Sequence, residues 1–328
     1  MYRRPMWLLG MGALSLVTVL ASLYWGSHAL PVGEVTRALS GSASSLARTI
    51  LWEQRIPRTI LGVACGMALG LAGSLMQTLT RNPLAEPGIL GLNAGAAAAV
   101  VLLVVVTGSA SLPAYMLAAW VGASVTAALA FSLGGGAQRN VVRLILAGIG
   151  LSAALMSLTE AMILANHDAF DEFRVWIAGS LEGRGLSVVA HVVPVQLVGV
   201  LLALSVTRSL HALALGDEVA ISLGVSVQRT RTVALVAVAL LSATTTAAIG
   251  PIAFVGLAVP YVVRSVLGND VRWVNVGSII LGPAWVLGAD VVARVILAPQ
   301  EAPVGVLATL LGAPLFVALM MRRRVLAL

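Results

Sequence analysis

The cationic side chains of this chain are all of one kind. It has 20 basic residues, and every one of them is an arginine. A P-loop ATPase needs a lysine after its glycines to reach the terminal phosphates, and a Schiff base also needs a lysine amine. The chain can therefore build neither site. If ATP drives this protein, the ATP and its Mg²⁺ must be bound by a separate ATPase chain, and we predict no cofactor here.

Other residues that could do chemistry are few. Cys65 is the single cysteine, so no disulfide can form within the chain, and we expect a small apolar residue packed in a helix. The four histidines are scattered without metal-ligand spacing, so we predict no metal site. Two carboxylates fall inside apolar runs, Glu160 and Asp290. Because an ionisable group is costly inside a bilayer, both are functional candidates, and for Asp290 we favour a structural role through Arg294.

The elements that must position these residues are membrane helices. Hydrophobic residues make up 59% of the chain and charged residues 10%, too little charge to cover a water-facing surface. The first apolar run follows two arginines and is long enough to span, so we interpret it as an uncleaved helix and not a signal peptide. Ten spans are predicted: Met6–Trp25, Thr59–Leu79, Ile89–Thr107, Ala114–Leu133, Arg143–Leu164, Val188–Val206, Thr232–Gly250, Ile252–Leu267, Trp273–Leu297 and Val304–Met321.

Two of these spans have distinctive features. Ile252–Leu267 is short and interrupted by proline, which is consistent with a half-span. The second span carries Gly62, Gly66, Gly70 and Gly73, nearly all at four-residue spacing. Glycines spaced in this way lie on one helix face and allow close helix packing. We therefore expect the second span in the middle of the bundle.

The arginines also predict the orientation. With the N-terminus in the cytoplasm, thirteen of the 20 arginines fall on the cytoplasmic side, as the positive-inside rule requires. The cytoplasmic set is Arg3, Arg4, Arg81, Arg139, Arg143, Arg208, Arg229, Arg231, Arg264, Arg272, Arg322, Arg323 and Arg324. Ten spans with both termini inside fit this bias best.

Three polar segments rich in glycine or proline separate the spans. The first is Arg55-Ile-Pro-Arg58, followed by residues 81–95, in which two prolines and three glycines predict a tight re-entrant turn. The second, Leu213–Val225, begins a short helix at Asp217-Glu218 and breaks at Gly224. Taken alone, it is either a short amphipathic cytoplasmic helix or a solvated loop. The third runs from Gly250 to the end of the chain.

At the run "GLAGSLMQTLTRNPLAEPGILGLNAGA" the chain resembles a known family, the permease subunits of binding-protein-dependent ABC importers for iron–siderophores, haem and cobalamin. The run looks especially like the ferric-enterobactin permeases. The segments "GPIAFVGLAVPYVVRSVLGND", "ADVVAR" and "APVGVLATLLGAPLFVALMMRRR" resemble the family's closing pattern. The resemblance extends from about Arg55 to Arg324. One residue departs from it, because Tyr261 stands where the family usually has histidine.

The resemblance implies an all-α permease, a single domain over residues 1–328, in a bacterial inner membrane. Its expected partners are two ATP-binding subunits, a second permease chain that is identical or homologous, a substrate-binding protein, a ferric siderophore and membrane lipid; nucleic acid is not expected. The segment of about residues 207–231 would couple to the ATPase. Its expected coupling residues are Leu213, Leu215, Gly216, Asp217, Glu218, Ala220, Ser222, Leu223 and Gly224.

The resemblance also assigns roles outside the coupling segment. Arg55, Arg58 and Arg294 match arginines that contact carboxylates on the binding protein, a task that suits the planar guanidinium group. Anchoring at the membrane interface is the alternative for all three, and an ion pair with Asp290, four residues earlier, is a further alternative for Arg294. Asn93 and Glu160 are the candidates for the translocation pathway, although Glu160 could instead reach outer water.

Two other functions stay open from the sequence. The cargo could be cobalamin or haem, because no residue of the pathway distinguishes these chelates from a siderophore. The chain could also belong to another class, the ion-coupled secondary transporters. Such transporters typically have inverted repeats and several intramembrane charges, neither of which is visible in this sequence.

Overall fold

A computed structural model describes residues 3–109, 111–135 and 141–322. Within these ranges the chain is helical, with no strand. The α-helices are α1 (Arg3–Tyr24), α2 (Val32–Leu39), α3 (Ser45–Thr49), α4 (Ile56–Thr80), α5 (Leu92–Thr107), α6 (Leu112–Leu133), α7 (Val141–Ala165), α8 (His167–Ile177), α9 (Leu186–Ala214), α10 (Asp217–Ser222), α11 (Val227–Ile249), α12 (Val255–Leu267), α13 (Val271–Ile296) and α14 (Val304–Arg322). A π-helical turn, Ile50–Arg55, leads into α4, and a 3₁₀ turn, Pro87–Leu90, precedes α5.

The predicted spans correspond to ten of these helices. Seven segments are long and apolar enough to cross a membrane: those containing α1, α4, α6, α7, α9, α11 and α13. Three shorter apolar helices, α5, α12 and α14, complete the set. The fold prediction of an all-α polytopic membrane protein is confirmed. The short helices α2, α3 and α8, which lie between spans, were not anticipated from the sequence.

Helix α4 forms the centre of the bundle, as its glycines predict. Of the residues in its most apolar stretch, 78% are buried, and it packs against α9, α11, α12 and α13. A methyl group at Gly66 would lie 2.6 Å from the Gly282 carbonyl oxygen, and one at Gly73 only 1.9 Å from that of Gly256. The backbones of α13 and α12 therefore approach α4 more closely than any side chain would allow.

Helix α12 is the predicted half-span. Its 13 residues correspond to about 19 Å, shorter than a hydrocarbon core of about 30 Å. Gly250 ends α11 with φ +77°, and Phe254 begins α12 in the left-handed region at φ +68°. The chain therefore turns between these two residues, where Gly250 and Ile252 are buried in the bundle.

Ion pairs show which helix termini share an end of the bundle. The carboxylate of Asp270, at the start of α13, lies 3.9 Å from Arg4 of α1 and 3.8 Å from His211 of α9. Arg81, at the end of α4, contacts Asp217 of α10. We call this the α10 end, and the opposite end, which carries α2, α3 and α8, the α8 end. The cytoplasmic location of both termini stays a prediction, and Arg139, Arg323 and Arg324 lie outside the described residues.

Candidate functional sites

The predicted coupling segment contains a short helix, α10, at the α10 end. Gly216, at φ +128°, turns the chain after α9, and α10 then begins at Asp217, as predicted. Asp217 and Glu218 occupy its first turn, where negative charge favours the helix dipole. The helix stops after Ser222, and Gly224, at φ +77°, redirects the chain into α11.

Most of the predicted coupling residues are either buried or exposed, while Gly216 and Asp217 are intermediate. Leu213 and Ala220 are buried in the core and hold the segment against the bundle. Leu215 and Leu223 are each more than 60% exposed, and Glu218, Ser222 and Gly224 are exposed beside them. Ile221, which the sequence did not single out, is 63% exposed on the same helix. A helix of six residues that presents this much apolar surface at a polar end of the molecule is typical of a protein contact.

Two arginines hold the start of α10. The Asp217 carboxylate accepts hydrogen bonds from Arg81 Nη2 at 2.6 Å and from Arg231 Nη2 at 2.8 Å, one on each oxygen. Arg81 Nη2 also donates to the Leu213 carbonyl oxygen at 2.7 Å. The first and second polar segments of the sequence therefore meet here. Sequence reasoning assigned no role to Arg81 or Arg231 beyond topology.

The three arginines predicted to dock a partner meet at the α8 end. Arg58 donates to Asp290 Oδ1 from Nε at 3.0 Å and from Nη2 at 2.7 Å, and to Glu301 from Nη1 at 2.7 Å. Arg294 Nη2 lies 2.8 Å from Asp290 Oδ2, so the predicted pairing of these two residues is confirmed. Arg55 donates to three backbone carbonyl groups, those of Leu23, Tyr24 and His28.

We call these five charged residues the outer cluster: Arg55, Arg58, Asp290, Arg294 and Glu301. The three arginine residues are buried, with 4%, 7% and 2% of their surface exposed. Three positive and two negative charges leave one positive charge in excess. The arginines and Glu301 line a small polar pocket of about 30 Å³, which His28 and Gln54 also border. Their docking role stays a prediction.

Glu301 is the member of the outer cluster that lies in a connecting loop. Burial alone would raise the pKa of its carboxyl group. The charge of Arg58, hydrogen bonds from Ser27 and Arg58, and the charge of Arg294 outweigh that effect and hold the pKa below its ordinary value. Glu301 is therefore an anion that the folded structure stabilises.

The loop between α4 and α5 carries a second carboxyl group that sequence reasoning missed. Glu86 lies beside the N-terminus of α12, and burial raises its pKa, an effect that the backbone N–H of Phe254 partly offsets. Nearby, Thr246 Oγ1 of α11 donates to Asn93 Oδ1 at 3.1 Å, and Asn93 is half-buried. Glu86 belongs to the predicted re-entrant turn of residues 81–95, but nothing in the local sequence indicated its contact with α12.

Two further residues singled out from the sequence, Glu160 and Tyr261, lie on α7 and α12. Glu160 is exposed on α7, in a segment of which only 11% is buried, so it faces outward from this chain. Tyr261 is buried on α12 and packs edge-on against Phe316 at a ring distance of 5.3 Å, a structural role that needs no imidazole. In the part of the chain that the structure describes, no group of three His, Cys, Asp or Glu residues could hold a metal ion.

Comparison with known proteins supports the assignment that this geometry suggests. Residues 14–322 match the model of the FecCD transport family. The chain belongs to the FecCD transport family. Because the match covers nearly the whole chain, α10, the outer cluster and the re-entrant loop all lie within the shared region.

Among family members, the chain is 42% identical over 320 residues to the ferric enterobactin transport system permease protein of Escherichia coli (strain K12), covering 96% of this chain and 94% of that one. It is 40% identical over 275 residues to an Fe(3+) dicitrate permease of the same organism, covering 84% and 86%. It is 36% identical over 294 residues to the hemin permease of Yersinia pestis, covering 88% of each chain.

A solved structure has the same fold. It is an inward-facing conformation of a metal-chelate type ABC transporter, with a TM-score of 0.84 and 26% identity, covering 98% of this chain and all of that one. Membership of the FecCD transport family makes this chain a permease of a metal-chelate ABC importer. It thereby excludes the alternative of an ion-coupled secondary transporter.

Proposed function

We propose that this chain is the permease subunit of an importer for a ferric siderophore of the catecholate, enterobactin-like type. Similarity to the ferric enterobactin permease over 96% of the chain carries this proposal. ATP hydrolysis on two separate ATP-binding subunits drives the import. The complex lies in the bacterial inner membrane with both termini of this chain in the cytoplasm, as the arginine bias indicates.

The ATPase contacts the exposed apolar face of α10. Leu215, Ile221 and Leu223 supply this face, while Leu213 and Ala220 anchor it from behind. The contact must be strong enough to transmit force, and burying exposed leucine and isoleucine side chains contributes about 1.5–3 kcal/mol each. Movement of α10 would then switch the side to which the central passage opens.

Substitution of this face tests the contact. Ile221→Ser and Leu223→Ser should abolish co-purification of the ATPase and uptake, while leaving the thermal stability of the permease unchanged because both side chains are exposed. Val175→Ser is the matched control, since Val175 is 66% exposed on α8 at the other end of the molecule. Retention of the ATPase by both α10 variants would reject the assignment.

The substrate-binding protein docks at the α8 end, over the outer cluster. The excess positive charge around the small pocket is complementary to a carboxylate on that partner. Arg55→Gln should weaken association, most at low salt, because Arg55 is the cluster member with no carboxylate partner of its own. Arg48→Gln, an exposed arginine of α3, is the control. Equal association of both variants would contradict docking at the outer cluster.

The central passage forms between this chain and a second permease, identical or homologous. The exposed face of α7, with Glu160, would line it, because an exposed carboxylate on a membrane helix is too costly to leave against lipid. Asn93 would line it from α5. Side-by-side uptake of ferric enterobactin, haem and cobalamin by the reconstituted complex tests the cargo. Faster uptake of haem or cobalamin would replace the siderophore assignment.

A further inference from the structure

Helix α10 has little packing of its own to hold it in place. It is six residues long, and Ala220 is its one buried residue. A helix this short is unstable in isolation, because the cost of forming its first turn is not repaid by later hydrogen bonds. The position of α10 therefore depends largely on the contacts made by its first residue, Asp217.

Those contacts join four helix termini. Arg81 follows the last residue of α4, Leu213 lies in the last turn of α9, Asp217 begins α10, and Arg231 lies near the start of α11. Arg81 Nη2 bonds both the Leu213 carbonyl oxygen and Asp217 Oδ1, so one guanidinium group ties α4 to α9 and α10. Arg231 occupies the other oxygen of Asp217.

The backbone of Arg81 is specialised for this position. It ends α4 in the left-handed region at φ +50°, which non-glycine residues adopt uncommonly. Glycine would suit that conformation better, so the backbone turn gives no reason for an arginine. The side chain provides the reason, since its length lets it reach across to the start of α10.

The loop that follows Arg81 leads back into the bundle. A methyl group at Gly256 of α12 would lie 2.8 Å from Cδ of Pro87, so the loop packs directly on the first turn of α12. Asn93, at the start of α5, accepts a hydrogen bond from Thr246 of α11. The segment that begins at Arg81 therefore contacts α12 through Pro87 and α11 through Asn93.

We propose that Arg81 is a positioning residue that fastens the coupling helix to α4 and carries its movement into the bundle. The inference rests on the proposed coupling of α10 to an ATPase. Once the ATPase has moved α10, the Arg81–Asp217 pair passes that movement to α4. Arg231 meanwhile holds α10 to α11, the helix that follows it.

The test uses the reconstituted complex of permease, ATPase and binding protein. Arg81→Gly keeps the left-handed turn and removes the side chain, and Arg81→Gln keeps the chain length without the charge. Both variants should assemble with the ATPase and hydrolyse ATP. Uptake of ferric enterobactin per ATP hydrolysed should fall by about two- to thirty-fold, the range expected when one link of a coupling network is removed.

Asp217→Asn should also lower the uptake per ATP hydrolysed. The double variant with Arg81→Gly should differ little from Arg81→Gly alone, because both substitutions break the same Arg81–Asp217 contact. Arg272→Gln is the control, an exposed arginine at the α10 end. A wild-type uptake ratio in Arg81→Gly would overturn the inference. Absence of ATPase assembly or uptake with the unmodified chain would instead reject the proposed function.

Discussion

Arg58 donates two hydrogen bonds to a single oxygen of Asp290, from Nε at 3.0 Å and from Nη2 at 2.7 Å, across 232 positions of the sequence. Asp290 is fully buried, and Arg294 lies on its other carboxylate oxygen. Helices α4 and α13 have the most extensive contact in the bundle. The Arg58–Asp290 ion pair therefore joins two helices that are already packed together. Within a membrane protein such a pair must be complete, because an unpaired buried charge is strongly destabilising.

Removal of Arg58 should destabilise the folded protein. Arg58→Met leaves Glu301 without its strongest partner and Asp290 with Arg294 alone, and we expect a loss of about 3–5 kcal/mol in the free energy of unfolding. Thermal denaturation of the purified chain in detergent measures the loss. Arg174→Met is the control, because its pair with Asp171 is exposed on α8 and contributes little. Equal stability of the two variants would contradict the importance of the buried pair.

Gly73→Ala should disrupt the packing of α4 against α12. The added methyl group would lie 1.9 Å from a backbone oxygen of Gly256, which cannot move aside as a flexible side chain could. Overpacking typically costs about 1–3 kcal/mol, and we expect the upper part of that range or more here because the obstructing atom belongs to the backbone. Gly150→Ala is the control, because Gly150 on α7 has open space beside it. A native melting temperature in Gly73→Ala would show that the two helices are more loosely packed.

Glu301 should make the protein sensitive to acid. Its pKa in the folded protein lies below the ordinary 4.5, so the unfolded chain binds more protons as the pH falls through that range. The stability that Glu301 contributes is present above about pH 4.5 and is lost as the pH falls through the folded pKa. Glu301→Gln should be less stable than the unmodified chain at pH 7 and should lose less on acidification. Parallel acid melting curves for both proteins would argue against this role.

Glu86 should have the opposite dependence on pH. Burial raises its pKa in the folded protein, so folding favours the neutral carboxyl group. The stability linked to Glu86 is present at low pH and is lost as the pH rises through the folded pKa. Glu86→Gln, which resembles the neutral form, should melt at a higher temperature than the unmodified chain at pH 8. The difference should shrink as the pH is lowered toward 5, and a difference independent of pH would contradict this account.

The sequence by itself determined those features that depend on local spacing and composition. Apolar runs located the ten bundle helices, seven of which lie in segments long enough to cross a membrane, because a bilayer requires a continuous apolar segment for each crossing. The Asp217-Glu218 pair and Gly224 marked the two ends of α10, and four-residue spacing predicted the contact of Asp290 with Arg294. The glycines of α4 indicated its central place, since backbone approach depends on a missing side chain.

The tertiary structure alone decided which distant side chains meet and which faces are covered. In a membrane chain, apolar residues face both the core and lipid, so hydropathy does not distinguish a packed face from a free one. Nothing local to Arg58 indicated Asp290 and Glu301 as its partners, and nothing local to Arg81 indicated Asp217. Glu86 is covered because the re-entrant loop packs on α12, a contact between segments nearly 170 positions apart. Such pairings arise from the path of the whole chain, and only its three-dimensional arrangement could reveal them.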